Sequence, residues 1–251
     1  QGSPLKAAET TPVDFVLIRE STEGLFASHG KGEIIGDSEA RETLVITRAV
    51  SEKLFDFAFR LARKRRDEGR GRGLVHCIDK ANVFRAFAFF RKLFDEEAVK
   101  HPDLRADHAY VDATALWMVQ KPWEFDVLVT ENMFGDILSD LGAGLMGGLG
   151  LAPSADIGLS HAVFQPCHGS APDIAGQGKA NPFAMILSAA MMLDWLGLKH
   201  DIAAMCDDAA RIRAAVDTQV LAGTDLTADL GGTSSTFQAA EAVMRAIKNA
   251  R

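Results

Sequence analysis

The chain predicts an α/β architecture, and three features of its 251 residues carry that prediction. Short β-rich runs alternate with amphipathic helical stretches through the first part of the chain. Past about residue 150 the alternation stops and long helices dominate, with the Gly-rich run from Gly142 to Gly150 marking the change. The composition is 47% hydrophobic, which at this length supports a substantial core in one large domain or two smaller ones. A boundary near residues 145–150 gives domains of 1–146 and 147–251.

Asp14-Phe-Val-Leu-Ile18 reads as a buried strand. The stretch holding Gly30, Gly32 and Gly36, with Thr43 to Thr47 after it, reads as an extended arm rather than a sheet strand. Ser51 to Glu68 reads as a helix, with Leu54, Phe55, Ala58, Leu61 and Ala62 at helical spacing, and Gly69 to Gly73 breaks it. Leu74-Val-His-Cys-Ile78 is the next strand. Phe84, Phe87 and Phe94 then recur at helical spacing and predict core rather than a stacking platform. Ala109-Tyr-Val-Asp112 reads as a short strand, followed by a helix through Trp117. Phe125-Asp-Val-Leu-Val129 is a strand feeding the helix that carries Asp136 and Asp140. Three helices close the chain: Pro182 to Leu196, Asp201 to Val220, and Ser234 to Ala250. The last sets Phe237, Ala240, Met244 and Ile247 on one face.

A net charge of −7 and a pI of about 5.5 argue against nucleic acid as the main partner, because phosphate binding needs a basic surface. The basic cluster Arg63-Lys-Arg-Arg66, with Arg70 and Arg72, is interrupted by Asp67 and Glu68 and reads as the solvated end of a helix. No apolar run reaches membrane-spanning length, and no signal peptide opens the chain. Cys77, Cys167 and Cys206 are widely spaced and form no Cys-x-x-Cys pair, which fits free thiols in a reducing cytoplasm. The opening Gln1-Gly-Ser-Pro-Leu-Lys does not resemble a natural start: either the N-terminus has been removed or further residues precede it.

Asp136 and Asp140, four residues apart, project from one face if their segment is helical. Like charges at that spacing repel, and a divalent cation with oxygen ligands turns that cost into a binding site. An exposed acidic face, with Ile137, Leu138 and Leu141 packing inward, is the plainer alternative. Gly142-Ala-Gly-Leu-Met-Gly147 has dinucleotide-motif spacing but trails a helix instead of opening one, so it predicts helix exit or close packing. Lys80 follows a strand and points to the ligand crevice of an α/β sheet, where desolvation makes proton transfer possible; a lysine capping a loop is the other reading. Asp112, at a strand end, is either a third carboxylate for a metal or the N-cap of the next helix. From Phe164 to Pro182, Gly, Ser, Pro and Asn concentrate in a segment flanked by apolar residues. Such a loop either wraps a nucleotide, with Asp173 accepting from a ribose 2′-OH, or merely shapes a turn.

The motifs Asp79-Lys-Ala-Asn82, Asn132-Met-Phe-Gly-Asp136 and His168-Gly-Ser-Ala-Pro-Asp173 stand in this order in the chain. Together they resemble the β-decarboxylating dehydrogenase family, which includes 3-isopropylmalate, isocitrate, homoisocitrate and tartrate dehydrogenases. The isopropylmalate branch is nearest in look. The resemblance runs from Asp14-Phe-Val-Leu-Ile-Arg-Glu20 to Asp229-Leu-Gly-Gly-Thr233 and the last helix.

That resemblance implies a non-Rossmann fold of two domains sharing a continuous sheet arrangement, with a dimer-forming arm. Residues 1–146 match a substrate and dimerisation domain, and 147–251 the C-terminal part of a cofactor domain. It implies a homodimer with sites shared between subunits and a small hydroxy-dicarboxylate substrate. It implies Mg²⁺ or Mn²⁺ held by Asp112, Asp136 and Asp140, with Asp112 supplied by the partner subunit. Lys80, also from the partner, matches the general base. Arg19 matches a reader of a substrate carboxylate, where a bidentate guanidinium fits. Asn82 and Val83 match positions near the nicotinamide and the substrate's variable group. His168, Gly169, Ser170, Ala171 and Asp173 match the adenosine loop, and Asn181 a position near adenine. A carboxylate at Asp173 favours NAD over NADP by repelling a 2′-phosphate.

The chain departs from the family pattern in three places. Phe26 stands where the family has the tyrosine expected to reprotonate the enolate, and a phenyl ring has no proton to give. Tyr110, the only tyrosine, matches a position commonly Tyr in relatives and is a poor substitute. Gln165 replaces a common glutamate near the cofactor loop. The resemblance also leaves about a domain's worth of a full-length relative, on the N-terminal side, without a counterpart. The expected activity is NAD-linked oxidation of a 2-hydroxy acid. Phe26 opens two alternatives: oxidation of a tartrate-, malate- or isocitrate-type acid without decarboxylation, and a non-catalytic regulatory subunit.

Overall fold

The computed structural model describes residues 13–249, so the opening Gln1–Lys6 and the terminal Ala250 lie outside the described residues. The described chain divides into two compact units, residues 13–142 and 143–249.

The first unit begins with β1 (Val16–Arg19) and an exposed hairpin, β2 (Glu33–Ile35) and β3 (Glu39–Arg41). Then come α1 (Arg48–Asp67), β4 (Leu74–Asp79), α2 (Arg85–Ala98), β5 (Arg105–Tyr110), α3 (Val111–Gln120), β6 (Val127–Thr130) and α4 (Asn132–Met146). The last of these helices crosses the boundary between the units. Strands β1, β6, β4 and β5 lie in that order in one sheet, every neighbouring pair parallel. Consequently all four carboxyl ends face the same edge, where α/β sheets bind ligands. The central strands β4 and β6 are buried throughout.

Strand alternation sends Val75 and Cys77 of β4, with Val127 and Val129 of β6, into one core cluster with Phe55, Ala58, Phe59 and Ala62 of α1. Phe90, Leu93 and Phe94 of α2 complete it. The Phe55 ring sits 4.7 Å from Phe90 and 5.4 Å from Phe94. Burial of each such ring contributes about 1.5–3 kcal/mol. Phe87 and Phe94 are buried as their spacing predicts, but Phe84 is 53% exposed. It lies just before α2 in extended backbone, so helical spacing does not place it.

The basic cluster at the end of α1 is not wholly solvated. Arg65 is buried and binds Asp126 at 2.8 Å and Asp14 at 3.1 Å. Asp126, buried at the start of β6, also accepts hydrogen bonds from the Arg72 and Leu74 backbone N–H groups. Edge strand β5 exposes Arg105 and Asp107, charges that discourage edge pairing. The Gly-rich arm is the exposed β2–β3 hairpin, tied back by a bridge from Gly24 to Val45.

The second unit holds β7 (Pro153–Ile157), β8 (Ala162–Pro166), α5 (Phe183–His200), α6 (Ala203–Ala222) and α7 (Thr236–Asn249). The three helices match the long periodic segments. The β7–β8 ladder is antiparallel and was not expected from the sequence, because Pro153, Ser154 and Asp156 dilute its apolar alternation. These two strands pair only with each other among the described residues. The core joins Leu151, Phe183, Ala215, Val216, Ala239 and Val243.

Helix α7 corrects the sequence reading. Phe237 and Met244 are exposed, while Ala239, Ala242 and Val243 are buried. Small side chains permit the close approach of α6, and the large ones turn outward. Gly142 and Gly144 sit inside α4, and Gly147 leaves it with a φ of 114°. The glycine run is thus a helix interior and exit. No described helix is long and apolar enough to cross a membrane.

Candidate active site

Two groups of polar residues stand at the carboxyl edge of the four-stranded sheet. The first joins β1 and α4. Arg19 ends β1, and its guanidinium donates to Asn132 Oδ1 through Nε at 3.0 Å and Nη2 at 2.7 Å. Its Nη1 binds the Asp136 carboxylate. Asn132 is buried and donates in turn to the Glu23 carbonyl at 3.1 Å. Gly135 lets this happen: a Cβ there would lie 2.5 Å from Arg19 Cγ. The Phe26 ring, half-exposed, lies under the guanidinium, 5.5 Å from Arg19 Cζ to its centroid. Buried Glu131 caps α4, accepting from the Met133 and Phe134 N–H groups. Burial raises its carboxyl above the usual range.

The second group joins β4 and β5. Lys80 directly follows β4 and binds Asp112 at 2.5 Å. That bond holds the Asp112 carboxyl below its ordinary value. Asp112 is neither a strand end nor an N-cap, because Tyr110 occupies the cap and Asp112 lies in the first turn of α3. There the helix dipole also favours its negative charge. Fully buried Asp79 receives two bonds from Arg91, at 2.7 and 2.8 Å, and one from the Ala81 N–H at 2.8 Å. It thereby fixes the turn of residues 81–83, on which Asn82 and Val83 are exposed. Arg91 lies over the Tyr110 ring at 5.2 Å.

Asp136 and Asp140 are exposed on α4, one turn apart. Ile137 is 60% exposed, so that helix face does not turn it inward, while Leu138 is buried. Asp136 already holds a guanidinium and Asp112 an ammonium, so both carboxylates are placed to receive positive charge. Such hard oxygen donors suit Mg²⁺ or Mn²⁺. A single chain does not gather all three. Among the described residues, the one cluster of three metal-ligating groups is Asp56, Glu97 and His101. Cations already neutralise that cluster: Arg60 on Asp56 and Lys100 on Glu97, with Arg63 against His101.

In the second unit, β8 leads into an exposed loop. His168 is half-buried with Nδ1 against the Gly169 carbonyl at 2.9 Å, while Gly169 and Ser170 are exposed. Ala171 takes left-handed backbone, φ 43°, and opens a short 3-10 turn bearing exposed Asp173. Asn181 is buried, with its Nδ2 on Asp229 and its Oδ1 capping the Phe183 N–H at the start of α5. An exposed carboxylate beside turning backbone fits a ribose hydroxyl, and Asn181 shapes the loop's far end. Gln165 donates to Asp156 at 3.1 Å.

The sequence reading gave no role to Asn132, Gly135, Asp79 or Arg91. The signal was available for the first two in Asn132-Met-Phe-Gly-Asp136, where a buried amide and a missing side chain flank the metal candidate. Asp79 and Arg91 lie twelve residues apart and join only through the fold.

Comparisons with known proteins find a family and relatives over most of the chain. Residues 1–245 match the family described as isocitrate/isopropylmalate dehydrogenase. The chain is 45% identical over 237 residues to a 3-isopropylmalate/3-methylmalate dehydrogenase of Methanocaldococcus jannaschii, covering 94% of this chain and 68% of that protein. It is 46% identical over 238 residues to an isocitrate/homoisocitrate dehydrogenase of Thermus thermophilus, covering 94% and 66%. A crystal structure of isocitrate dehydrogenase from Methylococcus capsulatus matches with a TM-score of 0.84 at 40% identity, over 99% of this chain and 70% of that one. The chain spans about two thirds of the length of the curated relatives it matches.

Proposed function

The chain belongs to the isocitrate/isopropylmalate dehydrogenase family, and from that premise we propose that it serves a metal-dependent, NAD-linked dehydrogenase of a 3-isopropylmalate-type 2-hydroxy acid. The observation that carries this reading is the pair of charged groups at one sheet edge: Arg19, Asn132 and Asp136 on one side, Lys80 and Asp112 on the other. Each is half of a site. A homodimer would complete it, with Lys80 and Asp112 of one subunit facing Arg19, Asp136 and Asp140 of the next. The exposed β2–β3 hairpin is the proposed dimer arm, and residues 147–249 the proposed cofactor side.

Arg19 binds a substrate carboxylate, where a planar fork gives both charge and direction. Asp112, Asp136 and Asp140 would hold the divalent cation. Lys80 is the group placed to take the proton of the substrate hydroxyl through Nζ, and Asp112 orients it. Asn82 and Val83 border the nicotinamide and the substrate's variable group. His168 to Ala171 and Asn181 border the adenosine, and Asp173 accepts from the ribose 2′-OH. When bound, the cation would supply Lewis acidity and NAD a hydride acceptor.

Phe26 supports a second reading, oxidation of a tartrate-, malate- or isocitrate-type acid without efficient decarboxylation. Its ring lies against Arg19 where a proton donor would be needed. Full-length protein with Mn²⁺ and NAD, assayed on isopropylmalate, isocitrate, homoisocitrate, tartrate and malate, tests both. NADH formed with equal CO₂ supports the first reading, and NADH in excess of CO₂ the second. No NADH from any of the five contradicts both.

A further inference from the structure

The Arg19 guanidinium has two edges able to grip a carboxylate, and Asn132 fills one of them. The side edge, Nε and Nη2, converges on the single oxygen Asn132 Oδ1 at 3.0 and 2.7 Å. At the end edge Nη1 binds the Asp136 carboxylate, while Nη2, which carries two hydrogens, uses one of them on Asn132. Asn132 is itself held: it is 1% exposed, its Nδ2 donates to the Glu23 carbonyl, and it opens the α4 helix beside the Glu131 cap. Glu23 is anchored by two bonds from Thr47, a backbone N–H at 2.8 Å and a hydroxyl at 2.5 Å. Gly135 and the Phe26 ring close the remaining sides. The amide therefore stands on a rigid base, and the arginine beside it does not choose its own direction.

We propose that Asn132 is the positioning residue for Arg19. By filling the side edge it commits the end edge to the substrate carboxylate, and so sets how the acid enters the site. This rests on the functional reading above, in which Arg19 is the carboxylate reader. An oxygen is the group the clamp needs; the amide nitrogen serves only the link to Glu23. Asn132→Asp keeps the oxygen and loses the link, whereas Asn132→Ala loses both.

The test uses the full-length protein and two readouts. Phenylglyoxal, which attacks accessible guanidinium groups, is reacted with each variant, and Arg19 modification is followed by peptide mass. Asn132→Ala, which loses both bonds to Oδ1, raises that rate at least about tenfold, while Asn132→Asp leaves it at the wild-type rate. Steady-state kinetics with the hydroxy acid then show KM for the acid raised about tenfold in Asn132→Ala and KM for NAD unchanged, with Asn132→Asp close to wild type. Equal Arg19 modification in wild type and Asn132→Ala overturns the proposal, as does Asn132→Asp behaving like Asn132→Ala. If no hydroxy acid is turned over, the functional reading falls separately, and the modification rates still decide whether Asn132 holds Arg19.

Discussion

Lys80 Nζ lies 2.5 Å from Asp112 in the same chain, one residue following β4 and the other opening α3 just after β5. Parallel pairing of those strands, with Asp79 opposite Tyr110, fixes the spacing. The two residues therefore travel together as one half of the proposed site. Lys80→Met should lower turnover of the hydroxy acid by about 10²–10⁴-fold, the range for loss of a positioned base, with NAD affinity by calorimetry left unchanged. Loss of NAD affinity in step with turnover would place Lys80 in cofactor binding instead.

Phe26 invites a gain of function. On the proposed function, a hydroxyl added to the ring beside Arg19 would supply a proton donor for the enolate. Phe26→Tyr should raise the ratio of CO₂ to NADH toward one. A ratio unchanged from wild type would show that this position does not limit reprotonation.

Asp126 tests the frame that carries the site. It is 1% exposed and neutralises buried Arg65 while accepting two backbone N–H groups. Asp126→Ala leaves Arg65 with only the exposed Asp14 and should cost about 3–5 kcal/mol, read from urea unfolding. A loss under about 1 kcal/mol would mean that solvent replaces the pair at little cost.

His76 gives the fold an acid-side weakness. It is buried in β4 against Phe125, and its Nδ1 has no hydrogen-bond partner among the described residues. Burial pushes the imidazole below its ordinary value of 6.5, with Asp107, Arg72, Arg105 and Glu124 as the charged groups around it. As pH falls below that value the unfolded chain binds the proton first, so stability present at neutral pH is lost toward the folded pKa. Between pH 7.5 and 5.5, wild type should lose more stability than His76→Leu, which has no such proton to take up. Equal losses would clear His76 of the effect.

Much of this was legible in the sequence, for physical reasons. Strands β4 and β6 are short apolar runs between glycine and polar breaks, and α1 repeats its apolar residues at helical spacing. Lys80 and the Asp136/Asp140 pair stood out because charge next to such runs needs a purpose. What periodicity missed depends on close approach. On α7 it favoured large residues, whereas the structure buries Ala239, Ala242 and Val243 because α6 needs small ones. Arg65 looked solvated among its neighbours until Asp126, 61 residues away, was brought beside it. Strands β7 and β8 carry proline and polar residues, and only their pairing with each other identifies them.

The central claim is that each site combines Lys80 and Asp112 of one subunit with Arg19, Asp136 and Asp140 of another. It is tested by mixing two inactive full-length variants, Lys80→Met and Asp136→Asn, with subunits exchanged by reversible unfolding. Each mixed dimer holds one site with both residues intact, so random pairing should restore about a quarter of wild-type NADH formation. A mixture as inactive as its two parents, with mixed dimers shown to be present, would contradict the shared site.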